Sequence, residues 1–432
     1  MADIRAFRGL RYDTGCVTLA DVVCPPYDVI TPTAAGALRR RSPFNAIHLE
    51  LPESPIGEAA DRYRVAAGLL AGWRTEHVLR TDHEPALYLV DHSFAGPDGR
   101  ERTRRGFVCR LRLEDFAAHV VLPHERTHAG PKLDRLELLR ATRANLSQIF
   151  LLYADPEGEV ERALTAAAPP PSPALEAPDA DGNLCRLRLL TGPIVDQVTE
   201  LLAARQLVIA DGHHRYETAL AYRDERRAAG DETADWVMVY LSSMDDPGLA
   251  VFPTHRLLKD VTLPPTAEVV ERLRTAFALT ELPGGSPRDC APAMERVSAA
   301  SGADKVLGLY FAAERRCITL APRDASVVES LTRRGLSPAQ ARLSVNLLAE
   351  LVFRDALGLD PDRLEGHLDF AKSVDDAVAE LETGDYGLAA FLGATPMGEV
   401  RAVAERGETM PQKSTYFYPK LLTGLVFNPL DS

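Results

Sequence analysis

No stretch of the chain reaches 18 uninterrupted apolar residues, so no membrane-spanning helix is expected. No apolar core of signal-peptide length follows Met1-Ala2-Asp3-Ile4-Arg5, and a secretory leader is not expected either. Cysteine is scarce: the 432 residues hold six, and none stands in a Cys-x-x-Cys pair. Cys16, Cys24, Cys109, Cys185, Cys290 and Cys317 therefore read as free thiols in a reducing compartment, and a cytoplasmic location follows by elimination. Positive charge is in deficit, with 49 Lys and Arg against 62 Asp and Glu, a net −13. That balance argues against a nucleic-acid or anionic-membrane partner, because both need a basic face. It leaves room for a small anion in a local basic pocket. The sequence has no G-x-x-x-x-G-K-[ST] loop, so a Walker-type nucleotide site is not expected. No segment repeats, which argues against a solenoid.

What is present is enough apolar chain for real cores. Apolar residues make up 46%, and 432 residues exceed one ordinary core, so two or three domains are expected. The apolar runs alternate with helical patterns and predict an α/β (α+β) fold. Strands are expected at Ala86–Val90, Ile149–Tyr153, Leu207–Ala210 and Trp236–Leu241. Arg105–Leu111 reads as the hairpin partner of the first, with Gly96 to Gly99 as the turn. Helices are expected over Gly57–Glu76, Lys132–Ala144, Tyr216–Ala229 and Pro338–Ala356. The proline-rich stretch from Ala166 to Ala180 reads as an exposed loop or local boundary. After about residue 260 the pattern resets. We therefore expect a catalytic domain over 1–260 and a second α/β domain over 261–432.

Three clusters carry chemistry. The first is Asp211-Gly212-His213-His214-Arg215, expected as the turn between a strand and a helix. The start of a helix offers unpaired N–H groups and a positive dipole end, which favour an anion. Arg215 can fork onto a phosphate, His213 or His214 can donate or shuttle a proton, and Asp211 can orient a histidine, hold a metal or accept a substrate proton. The blander reading is a capped helix with exposed histidines. The second cluster is His124-Glu125-Arg126-Thr127-His128, which matches the zinc-protease pattern H-E-x-x-H. That chemistry needs one continuous helix, and Pro123 and Gly130-Pro131 crowd the motif from both sides. A loop carboxylate acting as general base is the preferred reading. The third is Gly407 to Thr415, where Lys413, Ser414 and Thr415 suit phosphate oxygens. Tyr27 and Asp28, after Pro25-Pro26, are candidates for recognising a substrate amine, or they fix a turn. His255 either extends a basic pocket or starts a loop, and Arg105 is a further candidate for an anion contact.

The run Ile209 to Ala219, with Asp-Gly-His-His-Arg-Tyr-Glu-Thr-Ala at its centre, resembles the signature of a widespread bacterial and archaeal family of uncharacterised proteins. Cys24 to Ile30 and Pro411 to Lys420 resemble its other hallmarks, so the resemblance spans nearly the whole chain. More distantly, three motifs in the same chain order are similar to free-serine kinases of the ParB/sulfiredoxin superfamily. Pro123-His124-Glu125 resembles the segment bearing their catalytic glutamate, and Asp211 to Arg215 their Asp-Gly-x-His-Arg turn. Gly407-Glu408 with Pro411, Lys413 and Thr415 resembles their phosphate-contacting loop. The resemblance implies a ParB/sulfiredoxin-like mixed sheet with helices. It implies Glu125 as general base toward a serine hydroxyl, Asp211 and His214 as catalytic helpers, and His124 beside the substrate. Gly212, His213, Arg215, Lys413, Ser414 and Thr415 would hold phosphates. Glu125 and Asp211 lie further apart in sequence than in the compact kinases, which bears on the substrate more than on the phosphate chemistry.

Motif and resemblance agree on a phosphotransferase. Phosphoryl transfer needs positioning, positive charge on the equatorial oxygens and a carboxylate near the attacking hydroxyl. A small-molecule hydroxyl acceptor is expected, with free L-serine giving O-phosphoserine as the leading case. ATP, ADP or pyrophosphate is the donor, and Mg²⁺ accompanies its phosphates. Two alternatives stand beside this: a phosphoester or zinc-dependent hydrolase, and a non-catalytic nucleotide-binding module. Nothing in the sequence specifies the oligomeric state.

Overall fold

The structure is a computed structural model that describes residues 1–54, 61–96, 98–125, 130–168, 174–300, 305–323 and 325–430. The fold is α/β with a large mixed sheet and a second sheet of its own, as the sequence pattern requires. Two compact units divide the chain. The first comprises Met1–Pro123, Thr127–Ala250 and Pro419–Ser432; the second comprises His124–Arg126 and Val251–Tyr418. No helix among the described residues is long and apolar enough to cross a membrane.

The first unit is built on a nine-stranded sheet. In chain order its strands are β1 (Ile4–Arg5), β2 (Leu87–Ala95), β3 (Glu101–Arg112), β4 (Val121–Leu122), β5 (Ile149–Tyr153), β6 (Leu175–Pro178), β7 (Leu184–Leu190), β8 (Leu207–Asp211) and β9 (Trp236–Ser243). They lie in the order β4-β8-β5-β9-β3-β2-β7-β6, with β1 added to β3. The expected hairpin is present as β2 and β3, antiparallel. At the centre β5 runs parallel to β9 and antiparallel to β8, which makes the sheet mixed. Central strands covered on both faces need continuous apolar sequence, and Ile149-Phe150-Leu151-Leu152-Tyr153 is buried at every position. One face of the sheet packs Leu89, Phe107, Leu151, Ile209 and Val239 against helices α1 (Glu159–Ala167), α2 (Pro193–Ala203) and α3 (His213–Ala228). Each such aliphatic or aromatic side chain, fully buried, contributes roughly 1.5–3 kcal/mol.

The second unit has a six-stranded, wholly antiparallel sheet. Its strands are β10 (His255–Lys259), β11 (Phe277–Glu281), β12 (Leu307–Phe311), β13 (Arg316–Pro322), β14 (Leu368–Ala371) and β15 (Tyr386–Phe391), in the order β11-β13-β12-β15-β10-β14. Side chains alternate between two cores. Leu307, Leu309 and Phe311 enter one, while Tyr310 enters the other beside Leu257 and Phe391.

Several expectations need correction. The turn expected over Asp211–Arg215 shrinks to Gly212, because β8 runs through Asp211 and α3 begins at His213. The expected single helix Pro338–Ala356 is three pieces, Pro338–Ala341, Ser344–Leu347 and a wide π-type turn over Leu348–Ala356. Leu343 adopts an extended conformation and is fully buried there, and Asn346 Nδ2 donates to the Gln340 carbonyl across the break (2.8 Å). The proline-rich stretch is shorter than expected, since α1 reaches Ala167 and β6 begins at Leu175. The helix expected over Gly57–Glu76 is described over Asp61–Thr75, and its expected start lies outside the described residues.

The last segment of the chain is bonded into the first unit through a buried amide network. Asn428 Nδ2 donates to Asn145 Oδ1 (2.8 Å), which also accepts from the Met238 N–H (2.9 Å). Arg110 Nε donates to Asn428 Oδ1 (2.6 Å) and its Nη2 to the Pro429 carbonyl (2.9 Å). Asn428→Ala strands buried donors and acceptors, so a loss of about 1–3 kcal/mol is expected in urea unfolding; a loss below ~0.5 kcal/mol means that the network is not structural.

Candidate functional site

In the second unit, His124 and Glu125 lie against the segment that ends the loop after helix α4 (Met397–Ala404). Glu125 makes a parallel bridge with Met410, whose N–H donates to the His124 carbonyl (2.7 Å). The two residues are extended here, so the continuous helix that a zinc H-E-x-x-H site needs is not built at its first two positions. His128 lies outside the described residues.

The loop then turns at Lys413, a non-glycine residue with φ of +56°. That left-handed step sets three successive amides facing one point, a backbone nest suited to an anion. The Glu125 carboxylate fills it. Lys413 N–H donates to Oε2 (3.2 Å), and Ser414 and Thr415 N–H donate to Oε1 (3.0 and 3.1 Å). The Thr415 hydroxyl gives Oε1 a third donor (3.2 Å). That hydroxyl has one proton, so it accepts at its other contact, from His124 Nε2 (2.9 Å). His124 is fully buried, edge-on to Phe417, and the relay fixes its Nε2–H tautomer. Lys413, Ser414 and Thr415 thus act here through backbone N–H groups and one hydroxyl.

Arg256, on β10, braces the nest from behind. Its guanidinium donates to the Lys413 carbonyl (3.1 Å), to Thr254 Oγ1 (2.9 Å) and to the Thr254 carbonyl, and Thr254 Oγ1 itself donates to the Lys413 carbonyl (2.7 Å). Only 4% of Arg256 is exposed, and burial pulls its guanidinium down to about 10 against the opposing pull of the Glu125 charge. Sequence reasoning missed Arg256. It stopped at His255, the residue before, and the available signal was a guanidinium standing directly ahead of the apolar pair Leu257-Leu258.

His255 belongs to the other face of that strand. It is fully buried against Phe391, its Nδ1 accepts from the Leu392 N–H (3.4 Å), and its Nε2 has no partner among the described residues. Burial pulls the imidazole down to about 3.

In the first unit the Asp-Gly-His-His-Arg run sits at the end of β8. The register slips between Ile209 and Asp211, a bulge that re-aims the Asp211 side chain. Asp211 Oδ2 accepts from Arg215 Nη2 (3.3 Å), and Oδ1 lies 3.4 Å from Lys420 Nζ. Gly212 has φ of +91°, and a Cβ there would stand 2.9–3.0 Å from the Arg215 guanidinium, so glycine is needed twice over. The guanidinium is folded back and bonded to the Gln148 carbonyl. Burial disfavours the Arg215 charge, but Asp211, Asp28, Tyr27 and Glu50 outweigh it and raise its pKa. Tyr27 opens the short 3₁₀ turn Tyr27–Val29 under the Arg135 guanidinium, 4.4 Å from the ring centre. Burial pushes its phenol up to about 12. Asp28 in the same turn is exposed. His213 is buried and His214 half-buried in the first turn of α3. A cavity of about 60 Å³ opens beside Arg135, Arg215, Glu50 and Ser147. Arg105 is not free for an anion, because Asp91 (2.7 Å) and Glu161 (3.2 Å) already hold it.

Two measurements check this geometry. Gly212→Ala combines a strained φ with a close contact and is expected to cost about 1–3 kcal/mol in chemical unfolding; an unchanged midpoint contradicts the packing. His255 stays neutral in the fold but takes up a proton below about 6.5 when unfolded. Stability therefore falls as pH drops from about 6.5 toward 3. Between pH 7 and 4.5 the wild type is expected to lose on the order of 2 kcal/mol more than His255→Gln, and equal losses contradict the burial.

The family model described as "Protein of unknown function (DUF1015)" matches residues 4–345, and the chain belongs to that family. Among solved structures, a conserved hypothetical protein from Pyrococcus furiosus aligns at 14% identity and a TM-score of 0.34, over 72% of this chain and 90% of its own. A variant of a free serine kinase in complex with ADP aligns at 13% identity and a TM-score of 0.36, over 72% and 87%. SbnI with C-terminal truncation from Staphylococcus aureus aligns at 12% identity and a TM-score of 0.32, over 75% and 88%. Likenesses of that size carry no argument about the chemistry of this chain. No curated protein matches it.

Proposed function

We propose that this member of the DUF1015 family is a small-molecule phosphotransferase that passes a phosphoryl group to a hydroxyl, with free L-serine as acceptor and ATP, ADP or pyrophosphate as donor. The observation that carries the reading is the nest. Glu125 and the Lys413–Thr415 loop, two of the three motifs of the kinase resemblance, touch across 288 to 290 positions of sequence.

Each group has a role suited to its surroundings. Glu125 is the carboxylate that accepts the proton of the attacking hydroxyl. Before that step His124 and Thr415 hold it through the hydrogen-bond relay. In the first unit, Arg215, Lys420 and the N-terminus of α3 supply positive charge for phosphate oxygens, and Asp211 holds the two cations in place. His214 is the further proton-handling candidate at that helix start, and His213 and Gly212 shape it. Tyr27 and Asp28 stand near the Arg215 charge and are proposed as the amine-recognising residues of the first unit.

Mg²⁺ bound with a nucleotide takes most of its ligands from phosphates and water, with one or two carboxylates from the protein. Both Asp211 oxygens already face cations, and no group of three His, Cys, Asp or Glu gathers among the described residues. The residues present fit an ion brought with the donor and supplying charge neutralisation there, rather than a dedicated protein cage.

Incubation of the purified chain with Mg²⁺, L-serine and each donor is expected to yield phosphoserine by mass spectrometry. No product with any donor ends the serine kinase reading. Glu125→Gln, verified as folded by circular dichroism, is expected to lower kcat at least about 100-fold. Retained turnover removes Glu125 from the base role.

A further inference from the structure

The Lys413–Thr415 amides require an acceptor, and the structure shows which one they have. It is the side chain cast above as a base. A carboxylate and a phosphoryl group present the same edge of two oxygens to N–H donors. Three successive amides and a hydroxyl meet Glu125, and a buried guanidinium acts on it electrostatically. The hydrogen-bond acceptors of Arg256 are neutral: two carbonyls and a hydroxyl. A buried charge left with neutral acceptors favours any anion that comes close.

We infer that the Lys413–Thr415 nest is a binding site for a phosphoryl-type oxyanion and that the Glu125 carboxylate is its internal competitor. The two anions need the same donors, so both cannot be held at once. An entering phosphoryl oxygen takes over the amides of Ser414 and Thr415, and Glu125 leaves them with its lone pairs exposed. Binding of the anion and release of the carboxylate are then one event. With Oε1 engaged by three donors, Glu125 is an occupied acceptor at that oxygen, and displacement frees Oε1 for a hydroxyl proton. Arg256 and Thr254 are the positioning residues, since they hold the Lys413 carbonyl and with it the left-handed turn that aims the amides.

The identity of the anion rests on the phosphotransfer reading; the competition itself does not. The probe is inorganic phosphate, titrated calorimetrically into the full chain in buffer free of phosphate and sulfate. Glu125→Ala is expected to bind phosphate at least about tenfold more tightly than the wild type, because the ligand no longer displaces a resident charge. Thr415→Val in that background is expected to reverse part of the gain. Folded Glu125→Ala protein that binds phosphate no more tightly than wild type overturns the inference. Should Glu125→Ala not fold, Glu125→Gln keeps the shape without the charge; it is expected to gain severalfold, and no gain overturns the inference equally. Loss of turnover in Glu125→Gln without gain in phosphate affinity preserves the base and removes the competition. Gain in affinity with turnover unchanged does the reverse.

Discussion

A carboxylate facing three successive backbone amides is the interaction on which the second unit's candidate chemistry depends. The contact sets the direction of Glu125, the conformation of Lys413 and the tautomer of His124 together. A backbone nest of this kind is held from outside. Lys413 pays a steric penalty for its positive φ, and the buried Arg256 and Thr254 offset it by gripping the carbonyl on the far side of the turn. Remove the grip, and the three amides no longer share a target.

The first unit solves a related problem with different parts. A bulge at the end of β8 and a glycine with positive φ deliver Asp211 and Arg215 to one small region. Charge is balanced tightly there. Arg215 and Lys420 flank Asp211, and Arg135 lies over Tyr27 and next to Glu50, their ion-pair atoms 3.8 Å apart. Gly212 is held between the end of β8 and the start of α3 rather than by its own propensity.

How much of this could be read in the sequence differs by element. The central strands of the first unit were legible because burial on both faces demands unbroken apolar runs, and Ile149–Tyr153 is such a run. The Gly212 turn was legible because glycine is the residue that a left-handed junction asks for. The break at Leu343 was not, since it follows from tertiary burial of a leucine that reads as helical in isolation. The use of Lys413 was only half legible. Its charge advertises an anion, but the structure engages its amide and carbonyl, and backbone groups leave no mark in a sequence. Arg256 was legible only as a charge and not by its role, because its acceptors are main-chain oxygens and a neighbouring hydroxyl.

The nesting of one unit inside the other along the chain has a consequence for biosynthesis. Residues 1–123 and 127–250 leave the ribosome before Val251–Tyr418, and Pro419–Ser432, which supply Asn428 and Lys420, leave it after them. The earlier-made unit therefore waits through translation of the whole later one before its final partners arrive. The Asn145 carboxamide, which already accepts from the Met238 N–H, gains the Asn428 amide only after that interval. Domains synthesised in one piece close as they emerge; this one gains the Asn428 and Lys420 contacts only when the later segment returns to it.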